Sequence, residues 1–357
     1  MTAGGELARW CAGAAGLTEL GEGLLGRVGG SIGFDGAFFA TVDPATLLYT
    51  RAFRHGMPAE ASPAFLSAEF GDDDINQLRQ LARGPAHVGW LDQATAGERR
   101  RARRYREAME PYGLGDELRV ALMADGTCWG LLCLHRTSTG RGFTSGDAAR
   151  IGAVATPIAK ALRRALLMER AADSADPAGP GVLLLGHDDV LRSCTPAGAR
   201  WLAELNDLDR PMTTHLPTVI SAVVRRLKAG DPNAHGEASA RTLAPSGRWL
   251  TVHASRLNDP DNSVAVVVEP TSPLALAPLI VAGFALTARE AEVTRRLLTG
   301  LPRKSIAGDL AISLHTVNDH IKTIFDKTGA SSAGELRSKI FRQGQTEPKR
   351  PPPPDQN

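Results

Sequence analysis

The stretch SLHTVNDHIK, Ser313 to Lys322, spaces an amide, a carboxylate and an ammonium so that a helix gathers them on one side. At about 100° per residue, Asn318, Asp319, Lys322 and Thr323 face one way, and Val317, Ile321, Ile324 and Phe325 face the other. Held by its apolar stripe, such a helix presents groups that suit base edges in the DNA major groove. Asn can bond adenine twice, and Lys reaches guanine acceptors or phosphate. Asp319 is the odd member, because phosphates repel a carboxylate. It can nevertheless accept a hydrogen bond from cytosine N4 and penalise sites that offer only acceptors. The polar face of an isolated amphipathic helix is usually just solvated, so the neighbouring elements decide the matter.

Those elements are legible in ALTAREAEVTRRLLTGLPRKSIAGDLAISLHTVNDHIKTIFDKTGASSAGELRSKIF. Thr287 with Glu290 predicts a capping box at a first helix, with Val293, Leu297 and Leu298 as its apolar stripe and Gly300 as its stop. Ile306 and Leu310 give a second helix an inward face, Ser313 caps a third, and Ser332 with Glu335 opens a fourth. The second and third helices are separated by three residues, the short joint of a helix-turn-helix. Nine Lys/Arg stand against six Asp/Glu over residues 284–341, a modest excess that implies salt-sensitive phosphate attraction.

In order and spacing, LTAREAEV, GLPRKSIAGDL, ISLHTVNDHIKTIFDKTGA and SSAGEL resemble the output domain of LuxR-type transcriptional regulators over residues 284–341. The resemblance implies a four-helix, all-α domain on double-stranded promoter DNA. It places Asn318, Asp319 and Lys322 at the base edges, with Lys304, Ser313, His315, Thr316 and Lys327 on the backbone side. It also implies a homodimer, since one such module covers a half-site, with Leu336, Ile340 and Phe341 as an apolar dimerisation face. RNA polymerase is a further expected partner. The sequence departs from the family at Pro302, where Ser or Thr usually caps the second helix, at Gly308 inside that helix, and at Asn318, where a basic residue is more common.

Elsewhere the chemistry-bearing residues point to plainer roles. ERRRARRYRE (98–107) is the most basic run, but its interleaved glutamates predict a solvated helix. His187-Asp188-Asp189 follows an apolar run as in a phosphoacceptor pocket, yet the acceptor strand that should come some fifty residues on is replaced by the helical TVISAVVRRLKAG. Cys128, Cys133 and His135 could in principle serve a haem or redox centre, but ordinary core and strand-end roles are the expectation. The four cysteines lack CxxC spacing and are expected to be reduced. There is no P-loop, GxSxG, HExxH or Cys/His metal spacing, so neither catalytic nor metal-ligating residues are assigned and no cofactor is identified.

The 357 residues carry 41 Lys/Arg and 39 Asp/Glu, so any basic function is local. The N-terminus has no basic segment typical of a secretory signal, and no run is apolar enough for a membrane span. The expected location is the cytoplasm. Breaks at AADSADPAGPG and EPTSPLALAP divide the chain.

Helix, paired strands, the hairpin LRVALMADGTCWGLLCLHR and a long helix opening at Thr144 resemble a GAF sensory domain over residues 5–168. DDVLRSCTPAGARWL and GRWLTVHASRLNDPDNSVAVVVEP resemble a PAS-like domain over 180–270. The expected class is therefore α+β multidomain. A GAF-like sensor (1–170), a linker (171–180), a PAS-like domain (181–270) and a linker (271–283) precede the helix-turn-helix domain (284–341) and a disordered Pro-rich tail (342–357). Either sensory domain could take a small-molecule ligand. Two rivals remain open: a sigma-factor-like promoter-recognition protein, and a nucleotide-acting enzyme using the GAF-like pocket.

Overall fold

A computed structural model describes residues 3–14, 16–71, 73–168, 179–206, 216–230, 237–284 and 286–342. Most of the expected linker 171–180 and tail 342–357 lies outside them. The chain forms two compact units, residues 1–169 with 177–270, and residues 170–176 with 271–357.

In the first unit, α1 (Ala3–Gly13) and α2 (Leu17–Gly29) lead into β1 (Gly36–Val42) and β2 (Tyr49–His55). Next come α3 (Ser62–Phe70), α4 (Leu78–Arg83), β3 (Val88–Trp90) and α5 (Leu91–Thr95). A π-helical turn at Tyr105–Met109 precedes β4 (Leu114–Ala124), β5 (Thr127–Thr137) and α6 (Ser145–Met168). The strands form an antiparallel sheet in the order β2-β1-β5-β4-β3. The expected hairpin turns at Asp125-Gly126, both with positive φ, the backbone a tight primed turn requires. Thr144 and Asp147 bond each other reciprocally at the start of α6, as their spacing predicts.

Strand alternation gives this sheet two faces. Phe39 and Phe53 stack on the face that meets α2, where a Cβ on Gly21 would collide with the Phe53 ring. Phe38 and Arg54, their neighbours along the strands, face the other way, beneath α3.

A second antiparallel sheet repeats this relative order as β7-β6-β10-β9-β8. Its strands are β6 (Gly181–Leu185), β7 (Leu191–Cys194), β8 (Glu237–Leu243), β9 (Trp249–Arg256) and β10 (Val264–Pro270). Thr195 caps α7 (Pro196–Glu204) by accepting from Gly198 N at 3.1 Å, the role its Thr-Pro pair predicts. Between the sheets lies α8 (Thr218–Lys228), which packs on β2 and α3 on one side and on β8 and β9 on the other. Val219, Ile220, Val223, Val224 and Leu227 are all buried along it, so one apolar cluster runs from Tyr49 and Phe70 through α8 to Leu250 and Val252. Polar bonds join the same parts. Arg241 on β8 grips buried Asp43 through its backbone N (2.8 Å), Nε (3.0 Å) and Nη2 (2.6 Å), and Arg54 Nη2 donates to Thr218 Oγ1 at 3.2 Å.

The second unit is helical among its described residues: α9 (Pro273–Gly283), α10 (Ala288–Leu298), α11 (Arg303–Asp309), α12 (Leu314–Thr328) and α13 (Ala333–Arg342). Residues 273–283, expected as linker, are instead α9, which packs against α10 and α13. Its prolines mislead. Pro273 opens the helix, where a missing N–H is harmless, and burial of Leu276, Leu279 and Val281 outweighs the bond lost at Pro278.

Candidate nucleic-acid interface and sensor pocket

Thr287 and Glu290 close the predicted capping box on α10, and Ser313 caps α12 by accepting from Thr316 N at 3.0 Å. Val317, Ile321 and Ile324 are buried, which fixes the rotation of α12 and leaves Asp319, Lys322 and Thr323 exposed beside half-buried Asn318. Between α11 and α12, Ala311 adopts φ +51, and Ile312 N bonds Ala307 O at 3.1 Å, so the joint reverses the chain tightly.

The predicted DNA-facing residues differ in their freedom. Lys304 and Lys322 are exposed and make no ion pair among the described residues. Ser313 and Thr316 hydroxyls lie 2.8 Å apart and engage each other. Lys327 is pulled back onto α10, its Nζ 2.6 Å from Glu290 Oε2, and so is not a spare charge. His315 Nε2 stands 3.6 Å from Asp319 Oδ2 one turn on. Arg303, which sequence spacing did not single out, donates from Nη1 to Asn318 Oδ1 at 3.0 Å. Its signal was its place at the first turn of α11, across the joint from Asn318. Leu336, expected on an exposed dimer face, is fully buried. The side chains of Ile340 and Phe341 lie outside the described residues.

The basic run 98–107 is largely neutralised within its own domain. Arg99 pairs with Asp92, Arg100 with Glu110 at 2.7 Å, and Arg103 with Glu107 at 2.9 Å. The acidic cluster at 187–189 is a β-turn held by ion pairs from Asp189 to Arg225 (2.8 Å) and Lys228 (2.5 Å) of α8.

One member of the basic run is different. Arg104 is 2% exposed and bonds Glu117 Oε2 at 2.6 Å, beside Arg119, which bonds Glu69 at 2.5 Å. These side chains, with His135, line a cavity of about 40 Å³ between the sheet and α3. Burial alone would raise the Glu117 carboxyl, but Arg104, Arg119 and His135 hold it down at about 2. Burial, with Arg104 and Arg119 adding to it, lowers His135 to about 4 despite Glu117, so its imidazole is neutral near pH 7. Burial also pushes the Cys128 and Cys133 thiols up to about 12, which suits core residues rather than nucleophiles or thiolate ligands. Sequence reading missed Glu117 and Arg119. Their signal was two charges at period two, next to Asp116, at the start of a strand that is otherwise apolar onward from Val120.

Comparison with known proteins agrees with this division. Residues 285–338 match the family described as bacterial regulatory proteins, luxR family, and residues 81–162 match the GAF domain. No curated protein matches the sequence. Among solved structures, a GAF/HD domain protein from Geobacter sulfurreducens is 17% identical over 44% of this chain and 98% of its own, with a TM-score of 0.33. A complex of Vibrio cholerae VqmA with ligand and DNA is 20% identical over 46% and 82%, with a TM-score of 0.23. Escherichia coli SdiA is 12% identical over 92% of both chains, with a TM-score of 0.32. With scores this low, the two domain matches carry the assignment.

Proposed function

From a chain that carries a LuxR-type DNA-binding helix-turn-helix domain at its C-terminal end and a GAF sensory domain at its N-terminal end, we infer a ligand-controlled transcriptional regulator that acts without catalysis. The observation that carries this reading is the geometry of α12: a helix capped by Ser313, fixed by buried Val317, Ile321 and Ile324, and presenting Asn318, Asp319 and Lys322 outward. In this reading α12 enters the major groove of promoter DNA, Asn318, Asp319 and Lys322 meet base edges, and Lys304, Ser313, His315 and Thr316 face the phosphates. Two copies occupy two half-sites, with RNA polymerase as the downstream partner, in the cytoplasm. No described helix is long and apolar enough to cross a membrane.

The domain spanning 181–270 is read as PAS-like. Its sheet has the same relative strand order as the GAF sheet, and α8 places it against that sheet, which suits a relay. Selection of sites from a random duplex pool by the full chain tests the whole reading. The expected outcome is one motif enriched as two half-sites, with Lys322→Ala losing the enrichment. No enrichment in low or moderate salt would make α12 a protein-binding surface.

A further inference from the structure

We propose that Arg303 sets which base α12 reads: it holds the Asn318 amide by its oxygen, and the pair selects guanine over adenine. The inference deepens the reading of α12 as the recognition helix and rests on it. Arg303 opens α11 and Asn318 stands in the second turn of α12, yet Nη1 of the one lies 3.0 Å from Oδ1 of the other. Together with Lys322 they line one open groove beside Ile321 and Phe325. A guanidinium has donors and no acceptor, so only the carbonyl end of the amide can face it. Arg303 thereby fixes which way round Asn318 stands. The bond carries the charge of the guanidinium, which makes it stronger than one between two neutral groups.

An asparagine left to itself suits adenine, whose N6 donates to the amide oxygen and whose N7 accepts from the amide nitrogen. Here the oxygen is already engaged. It keeps a second lone pair, but an amine brought to it would set its positive edge against the guanidinium charge. Guanine presents O6 and N7, two acceptors, and no donor along the same edge. Asn318 Nδ2 can serve one of them and Arg303 the other. The bond to Oδ1 uses a single N–H of the guanidinium, and Arg303 makes no ion pair among the described residues.

The test is competition anisotropy with the full chain on its selected operator, each base pair substituted in turn. Asn318→Ala locates the position that the amide reads, as the one whose preference flattens. There the wild type should prefer guanine to adenine by roughly tenfold, the order of a good two-bond contact to a base edge. Arg303 is exposed, so Arg303→Ala should melt as the wild type does while guanine loses its advantage at that position and the other positions keep theirs. Arg303→Glu suits the first turn of a helix and turns the amide round, since a carboxylate takes the NH2 group and leaves Oδ1 to accept. In that variant adenine should overtake guanine.

Adenine preferred by the wild type at that position, no position flattened by Asn318→Ala, or a guanine preference that survives in the Arg303 variants would overturn the proposal. So would an equal weakening on every duplex, which marks Arg303 as a phosphate contact. If the wild type selects no operator at all, the reading of α12 fails and takes this proposal with it. An operator whose base preferences ignore Arg303 defeats the proposal alone and leaves the DNA-binding reading standing.

Discussion

In the proposed groove contact Asp319 would be accompanied, since His315 stands 3.6 Å away on the same face. With the two side chains 87% and 66% exposed, that pair is well screened and does little to cancel the carboxylate. On the proposed reading Asp319 therefore still repels phosphate and still discriminates among bases. Asp319→Ala should tighten binding to random duplex at low salt while reducing preference at one base position by about 1–3 kcal/mol. Competition anisotropy with single-base operator variants measures both. Equal tightening on every sequence would remove the specificity role.

His135 carries a second residue-level prediction. The unfolded chain takes up a proton at His135 near its ordinary 6.5, whereas the folded chain resists until about 4. The His135 contribution to stability should therefore fall as pH drops from 6.5 to 4 and then level off, a loss of about 3 kcal/mol from this group. Urea midpoints across that range should slope less in His135→Gln than in the wild type. At this scale the sequence was informative for α12, where spacing alone divides the faces. It was silent on Arg303 and on its bond to Asn318, because that bond depends on how tightly the joint at Ala311 turns.

Among the elements, α11 is the weak member of the helix-turn-helix. Pro302 at its cap offers no side-chain bond, and Gly308 stands within its seven residues. A Cβ at Gly308 meets nothing within 4 Å, and its φ is not left-handed, so the glycine brings flexibility without a steric reason. Gly308→Ala should stabilise the C-terminal unit by about 0.5–1 kcal/mol, read as a higher melting temperature with site preference unchanged. Capping pairs were legible because they are local: Thr287 with Glu290, Thr144 with Asp147 and Ser313 all cap as their spacing predicts. The apolar helix α9 was not legible, because its prolines carry the signature of a break and only tertiary burial reverses it. Glu117 and Arg119 escaped for a related reason. A charge inside a strand reads as solvent-facing until the covering helix is known, and α3 lies some fifty residues away in sequence.

At the scale of the molecule, the same logic sets how strongly the chain should grip DNA. Three cations of the C-terminal unit are already ion-paired: Arg289 with Glu292 (2.7 Å), Arg296 with Asp309 (3.5 Å) and Lys327 with Glu290 (2.6 Å). Lys304 is exposed and makes no ion pair among the described residues, so on the proposed reading it can displace counterions from phosphate. Each phosphate neutralised on B-DNA changes the slope of log K against log salt by about 0.9. One bound copy of Lys304→Ala should therefore flatten the slope by roughly 0.9, and two copies on paired half-sites by roughly 1.8, while sequence preference stays as in the wild type. Titrations of the full chain on a selected operator from low to moderate salt thus count subunits through a side chain that touches no base. A change near 1.8 supports the dimer even though Leu336 is buried and cannot supply its contact. A change near 0.9 would assign one copy per site, and an unchanged slope would take Lys304 off the phosphate backbone.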